Sequence, residues 1–128
     1  MLHCSETWPI RKENEVSLQR EEIRMVRWMC CIKLKDRVPS KGPRERLDID
    51  DIILVIQQKR LQWYGHVMQK EDTNWVKKDM QYEVQGARLR GRPYKTWTEI
   101  VQKDCQAHKL KREDAMDRVR WRKQIRDD

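Results

Sequence analysis

The chain has 128 residues, 38% of them apolar and 39% charged, with no Phe, six Trp and a formal charge of +8. That length suits one domain with a modest core and leaves no room for a second. The positive balance points to a polyanionic partner, nucleic acid being the commonest, with a merely solvated basic surface as the plain alternative.

In chain order, residues 1–12 form a lead-in punctuated by Pro9. A first helix is expected from Glu13 to Lys33, because Val16, Ile23, Val26 and Cys30 fall on one side, flanked by Leu18, Met25, Met29 and Ile32. Residues 34–48, punctuated from Pro39 to Pro43, predict a linker. Asp48 reads as the N-cap of a second helix over 49–69, with Ile52, Ile56, Trp63 and Val67 as its stripe, widened by Ile53, Tyr64 and Met68. The β-branched run Ile53 to Ile56 leaves a strand as the rival reading. Gly65 in mid-helix costs about 1 kcal/mol against Ala, so close backbone packing is expected there.

A break at Asp72 to Asn74 precedes a short helix over 74–82, and residues 83–95 predict a basic extended loop. Thr96-Trp97-Thr98-Glu99 is a capping box opening a helix over 96–108, on which Trp97, Ile100, Val101 and Cys105 share a face. A last helix over 111–126 is acidic at its start and basic at its end, the order that suits the helix dipole. The expected fold is therefore mainly α, a small bundle of about four to five helices treated as one region over 1–128. Trp28, Trp63, Trp97 and Trp121 are its expected packing anchors. A core resting on these is thin, so marginal stability is expected for the chain alone, with more burial when it is joined to something larger.

For chemistry, no paired-aspartate turn, Gly-rich phosphate loop or HExxH is present, and no catalytic residue is assigned. Cys105 and His108 lie one helical turn apart, which fits a buried thiol beside a surface imidazole better than a nucleophile and its base. His66 reads as hydrogen-bonded structure in the same way. Cys4, Cys30, Cys31 and Cys105 lack zinc spacing, so neither metal nor cofactor is expected. Reduced thiols point to a nuclear or cytoplasmic chain. No membrane span and no secretory signal are read from the sequence.

Binding signals are sharper. From Gly86 to Lys95 the chain carries Arg88, Arg90, Arg92 and Lys95 with no acid. Gly91 allows close backbone approach, and Pro93 holds the chain extended. The core Arg90-Gly91-Arg92-Pro93 matches the heart of an AT-hook, which lies in an A·T-rich minor groove. Phosphate contact and a basic connector paired with acids are the other two readings of this arm. In the last helix Trp121 and Ile125 are expected to dock inward, with Asp117 holding an arginine. Arg118, Arg120, Arg122, Lys123 and Arg126 are left along a backbone track.

Four segments together carry a family resemblance: Ser5-Glu6-Thr7-Trp8; Ile23 to Cys30 with Asp36-Arg37-Val38; Arg60 to Met68; and Gly91-Arg92-Pro93 with Trp97, Lys103-Asp104 and Asp117 to Arg122. In order and approximate spacing they resemble the region downstream of the polymerase core in non-LTR (LINE-type, RTE-like) retrotransposon endonuclease–reverse transcriptases. The resemblance implies helical thumb and carboxy-terminal elements that hold template RNA or target DNA. It also implies that the catalytic aspartates lie upstream in a palm absent from this sequence, and that Ser5-Glu6-Thr7-Trp8 normally follows a longer sequence, so Met1 reads as an internal or chance start. The missing polymerase core is a further expected partner. Cys31 departs from the family pattern, where glycine usually follows the cysteine, and Gln69 stands where arginine is usual. The alternative is a captured, non-enzymatic fragment that acts by protein interaction or as an AT-hook-like DNA binder.

Overall fold

A computed structural model describes residues 4–8, 10–82, 85–86, 90–91 and 96–126. Among these residues there are six α-helices and no strand, so the chain is mainly α and Ile53 to Ile56 is helical. The helices are α1 (Lys12–Met29), α2 (Lys41–Leu47), α3 (Ile52–Met68), α4 (Trp75–Gln81), α5 (Trp97–Ala107) and α6 (Arg118–Arg126), with 3-10 turns at Ser5–Thr7, Leu34–Asp36 and Arg112–Met116. The helix count slightly exceeds the expected four to five. The chain divides into a small unit, residues 10–56, and a large unit, residues 1–9 with 57–128.

In the small unit, α1 ends earlier than its periodicity predicts. Cys31 takes a left-handed conformation (φ 55°), its N–H donates to the Trp28 carbonyl at 3.1 Å, and Ile32 N–H donates to the Arg27 carbonyl at 2.9 Å. This is the Schellman closure of a helix end, here built on cysteine rather than glycine. The buried residues of α1 are Glu22 and Val26. Glu22 is tolerated because its carboxylate accepts a hydrogen bond from Arg44 at 2.7 Å, and Arg44 also pairs with Asp51 at 3.5 Å. The expected apolar stripe is thus corrected: Val16, Met25 and Met29 are more than half exposed, and Trp28, expected in the core, is 81% exposed.

The expected linker over 34–48 contains α2. Pro43 sits in its first turn, where the missing N–H would have had no helical partner anyway. Asp48 does not cap α3. It closes α2 in the left-handed region (φ 52°), with Ile49 N–H donating to the Arg44 carbonyl at 3.1 Å. Asp51 takes the capping role instead, its carboxylate accepting from Ile53 N–H at 3.0 Å, so α3 begins at Ile52.

The large unit is organised around Leu61, Met68, Leu110, Ala115, Trp121 and Ile125, with Tyr64, Met80 and Cys105 packed against them. Asn74 caps α4 through Val76 N–H at 3.1 Å, and Thr96 Oγ accepts Glu99 N–H at 3.4 Å to open α5. A third Schellman closure ends α5 on Lys109 (φ 53°), with Leu110 N–H donating to the Cys105 carbonyl at 2.8 Å. The single helix expected over 111–126 is divided into the 3-10 turn Arg112–Met116 and α6. Asp117 makes the division: its carboxylate accepts from Val119 and Arg120 N–H at 3.1 and 3.2 Å. It therefore caps α6, where the sequence suggested it would hold an arginine.

Candidate nucleic-acid interface

Helix α6 reads Arg-Val-Arg-Trp-Arg-Lys-Gln-Ile-Arg, five cations and no acid. Its buried residues, Trp121 and Ile125, stand one turn apart and anchor it. The Trp121 ring N–H donates to the Leu61 carbonyl at 2.9 Å, and its ring lies 6.1 Å from that of Tyr64. A Cβ on Gly65 would lie 2.6 Å from Trp121 Cδ1, so the close packing expected at this glycine is present and Trp121 is what fills the space. With that stripe held, Arg118, Arg120, Arg122, Lys123 and Arg126 are all exposed. Among the described residues the ion pair found for these five is Arg120 with Asp114, at 3.6 Å.

Of the arm, Arg90 and Gly91 are exposed and Gly91 takes φ 146°, a conformation that L side chains rarely adopt. Arg88, Arg92, Pro93 and Lys95 lie outside the described residues. Lys109, Lys111 and Arg112 are three more exposed cations, set around buried Leu110. Their signal in the sequence is the run Lys109-Leu110-Lys111-Arg112, three cations interrupted by one apolar residue.

Two other anchors behave differently from Trp121. Trp97 is half-buried and its ring N–H donates to the Glu6 carbonyl at 3.0 Å, which ties the start of α5 to the Ser5–Thr7 turn. Trp63 is half-buried with its ring centroid 5.7 Å from that of His66. Arg60, the first residue of the third resembling segment, is buried and pairs with Asp104 at 2.6 Å. Burial pushes the Asp104 carboxyl above the usual carboxylate range, and the Arg60 guanidinium offsets part of that rise.

Burial, with a contribution from neighbouring Asp104, also raises the Cys105 thiol to about 11. The thiolate is therefore scarce at neutral pH, which argues against a nucleophilic Cys105–His108 pair. Burial likewise raises Tyr64, opposed by Arg112. Among the described residues no cluster of His, Cys, Asp or Glu could hold a metal ion, and no helix is long and apolar enough to cross a membrane. No family model, curated protein or solved structure matches the chain, so its family is not fixed by comparison.

Proposed function

We propose that the chain is a nucleic-acid-binding helical element, without a catalytic centre of its own, that holds its ligand mainly through phosphates. The observation that carries this is α6: two side chains fix the helix, and five cations without an intervening acid face solvent. A solvated helix ordinarily mixes signs, because like charges one turn apart repel by a few tenths of a kcal/mol, roughly 0.2–0.5. Arg118 and Arg122 stand at that spacing, as do Arg122 and Arg126, so a polyanion in contact would relieve a repulsion built into the helix.

The reading extends to origin, as the carboxy-terminal region of a non-LTR retrotransposon reverse transcriptase that positions template RNA or target DNA. Support comes from where the resembling segments meet. Trp97 bonds to Glu6, Arg60 to Asp104, and Trp121 to Leu61 and over Gly65. Residues from the first, third and fourth segments are thus mutual packing partners, a reason for them to occur together. Polymerase motifs in the genomic sequence just upstream would bear on this origin, and their absence in every frame would remove it.

Salt dependence tests the binding mode. If about four phosphates are engaged, the log–log slope of affinity against salt should be roughly −3 to −4 on duplex. Replacing Arg118, Arg122 and Lys123 together with Ala should flatten it by about 2 to 3 units and weaken all sequences alike. Binding that ignores salt, or a triple variant that binds like the parent, would remove the proposal.

A further inference from the structure

The end of α1 exposes what a helix ordinarily hides. Trp28 is 81% exposed, and Met25 and Met29 are 52% and 54% exposed. Arg24, one turn before Trp28 and so on the same face, has a side chain that is 81% exposed. Glu22 and Val26, which α1 buries, lie on another side of the helix. Among the described residues, the side chains that α1 buries are Glu22 and Val26, and the Trp28 indole is not one of them.

The charge beside it is mostly positive. From Ile23 to Asp36 there are four cations, Arg24, Arg27, Lys33 and Lys35, against one acid, Asp36, whose carboxylate accepts Lys33 N–H at 2.9 Å. Glu21 approaches Arg24 only to 3.9 Å in an exposed pair, which contributes little. After the turn at Cys31, Leu34 is 82% exposed between Lys33 and Lys35. The surface therefore suits a ligand that is polyanionic and also offers flat apolar faces. An anionic bilayer fits less well: on the earlier part of α1 Glu13 and Glu21 lie exposed and Glu15 partly so, and Val16 is the one exposed large apolar side chain there. The other exposed ones of α1 fall within residues 25–29. A helix lying in a membrane surface needs an apolar face along its length. Bases in a duplex already stack on each other, whereas an unpaired base is free to stack on an aromatic ring between cations that meet its phosphates.

We infer that Trp28 is a stacking platform for an unpaired base, with Arg24, Lys33 and Lys35 contacting adjacent phosphates, so that the small unit binds single-stranded nucleic acid. The inference rests on the nucleic-acid reading above and narrows its ligand. It is tested on the full chain with a fluorescein-labelled RNA of roughly 12 nucleotides, single-stranded and annealed to its complement. Because Trp28 is exposed, Trp28→Ala should keep the parent's circular dichroism. It should weaken single-strand binding about 5- to 150-fold while duplex affinity changes by less than about twofold. Trp28→Phe should retain most of the single-strand affinity, since it keeps an aromatic face.

The two readings fail separately. If the Arg118, Arg122 and Lys123 variant loses affinity while Trp28→Ala binds the single strand like the parent, stacking is overturned and the phosphate track stands. If Trp28→Ala loses single-strand affinity and the triple variant does not, stacking stands without that track. Equal losses on single strand and duplex overturn stacking. So does an unchanged single-strand affinity in Trp28→Ala together with lost binding to phosphatidylserine-containing vesicles, which would make the patch a membrane contact.

Discussion

Gly65 of α3 has no side chain where Trp121 of α6 has its indole: a Cβ at position 65 would lie 2.6 Å from Trp121 Cδ1 and overlap the ring nitrogen. The ring has little room to move, because it is 2% exposed and its N–H is bonded to the Leu61 carbonyl. Gly65→Ala would gain about 1 kcal/mol of helix propensity, but overpacking a filled core costs about 1–3 kcal/mol. Urea denaturation should therefore show net destabilisation. Trp121→Ala should cost about 3–5 kcal/mol, and in that background Gly65→Ala should become neutral or stabilising, because the new methyl enters vacated space. Additive losses would show that the two residues do not share the site.

The ends of α1, α2 and α5 place Cys31, Asp48 and Lys109 in the left-handed region, at φ 55°, 52° and 53°. A residue with a Cβ pays roughly 1–2 kcal/mol there, which glycine avoids. Cys31 is exposed, so replacing it loses no burial. Cys31→Gly should raise stability by about 1 kcal/mol, and Asp48→Gly by less, since Asp tolerates this conformation better than most residues. A lower urea midpoint for Cys31→Gly would contradict this account.

These helix ends also explain what the sequence left hidden. Helical class, the Thr96 and Asn74 starts, the docking of Trp121 and Ile125, and the tight fit at Gly65 were legible because periodicity and capping are local signals. The stops were not, since none of the three left-handed residues is glycine. Helix α2 was masked by Pro43, which breaks a helix in its interior but not in its first turn. The burial of Glu22 and Arg60 depends on partners 22 and 44 residues away, Arg44 and Asp104, and no window along the chain pairs them. Trp28 misled because a Trp at helical spacing looks like core whichever way the helix faces. The exposure of the α6 cations followed once its two buried residues were identified.

The Arg60–Asp104 pair should behave as a buried unit. Their side chains are 4% and 10% exposed, and removing one partner leaves a charge without compensation. Asp104→Ala or Arg60→Ala alone should cost about 3–5 kcal/mol. Arg60→Met with Asp104→Leu should cost less than either single change, because no buried charge is then stranded. A double variant less stable than both singles would mean that packing, not charge, dominates the site.

Cys105 provides a pH test. Its folded thiol titrates at about 11, above the ordinary value of 9.0, so the fold favours the protonated form. Its contribution to stability is complete below pH 9 and is lost as pH rises through about 11. The stability gap between the parent and Cys105→Ala should narrow over that window. At neutral pH an alkylating reagent should modify exposed Cys4 and Cys31 well before Cys105. Preferential labelling of Cys105 would instead indicate an activated thiol and reopen the pairing with His108.

Within α6 the cations are not equivalent, and the differences give a graded prediction. Arg120 lies 3.6 Å from Asp114, so a phosphate reaching it must compete with a carboxylate already there. Arg122 has no acid within ion-pair distance among the described residues. If α6 is a phosphate track, Arg122→Ala should flatten the salt slope by about 1 unit, whereas Arg120→Ala should flatten it by less. Asp114→Asn should strengthen binding by releasing Arg120. Asp114 Oδ2 also accepts Lys111 N–H at 3.3 Å, and an Asn oxygen is able to keep that bond, so the change should not unfold the turn. The ordering is informative because overall charge falls by one in both arginine variants. Equal losses in both would mean that the ligand senses only net charge, and no track along α6 would be needed to explain binding.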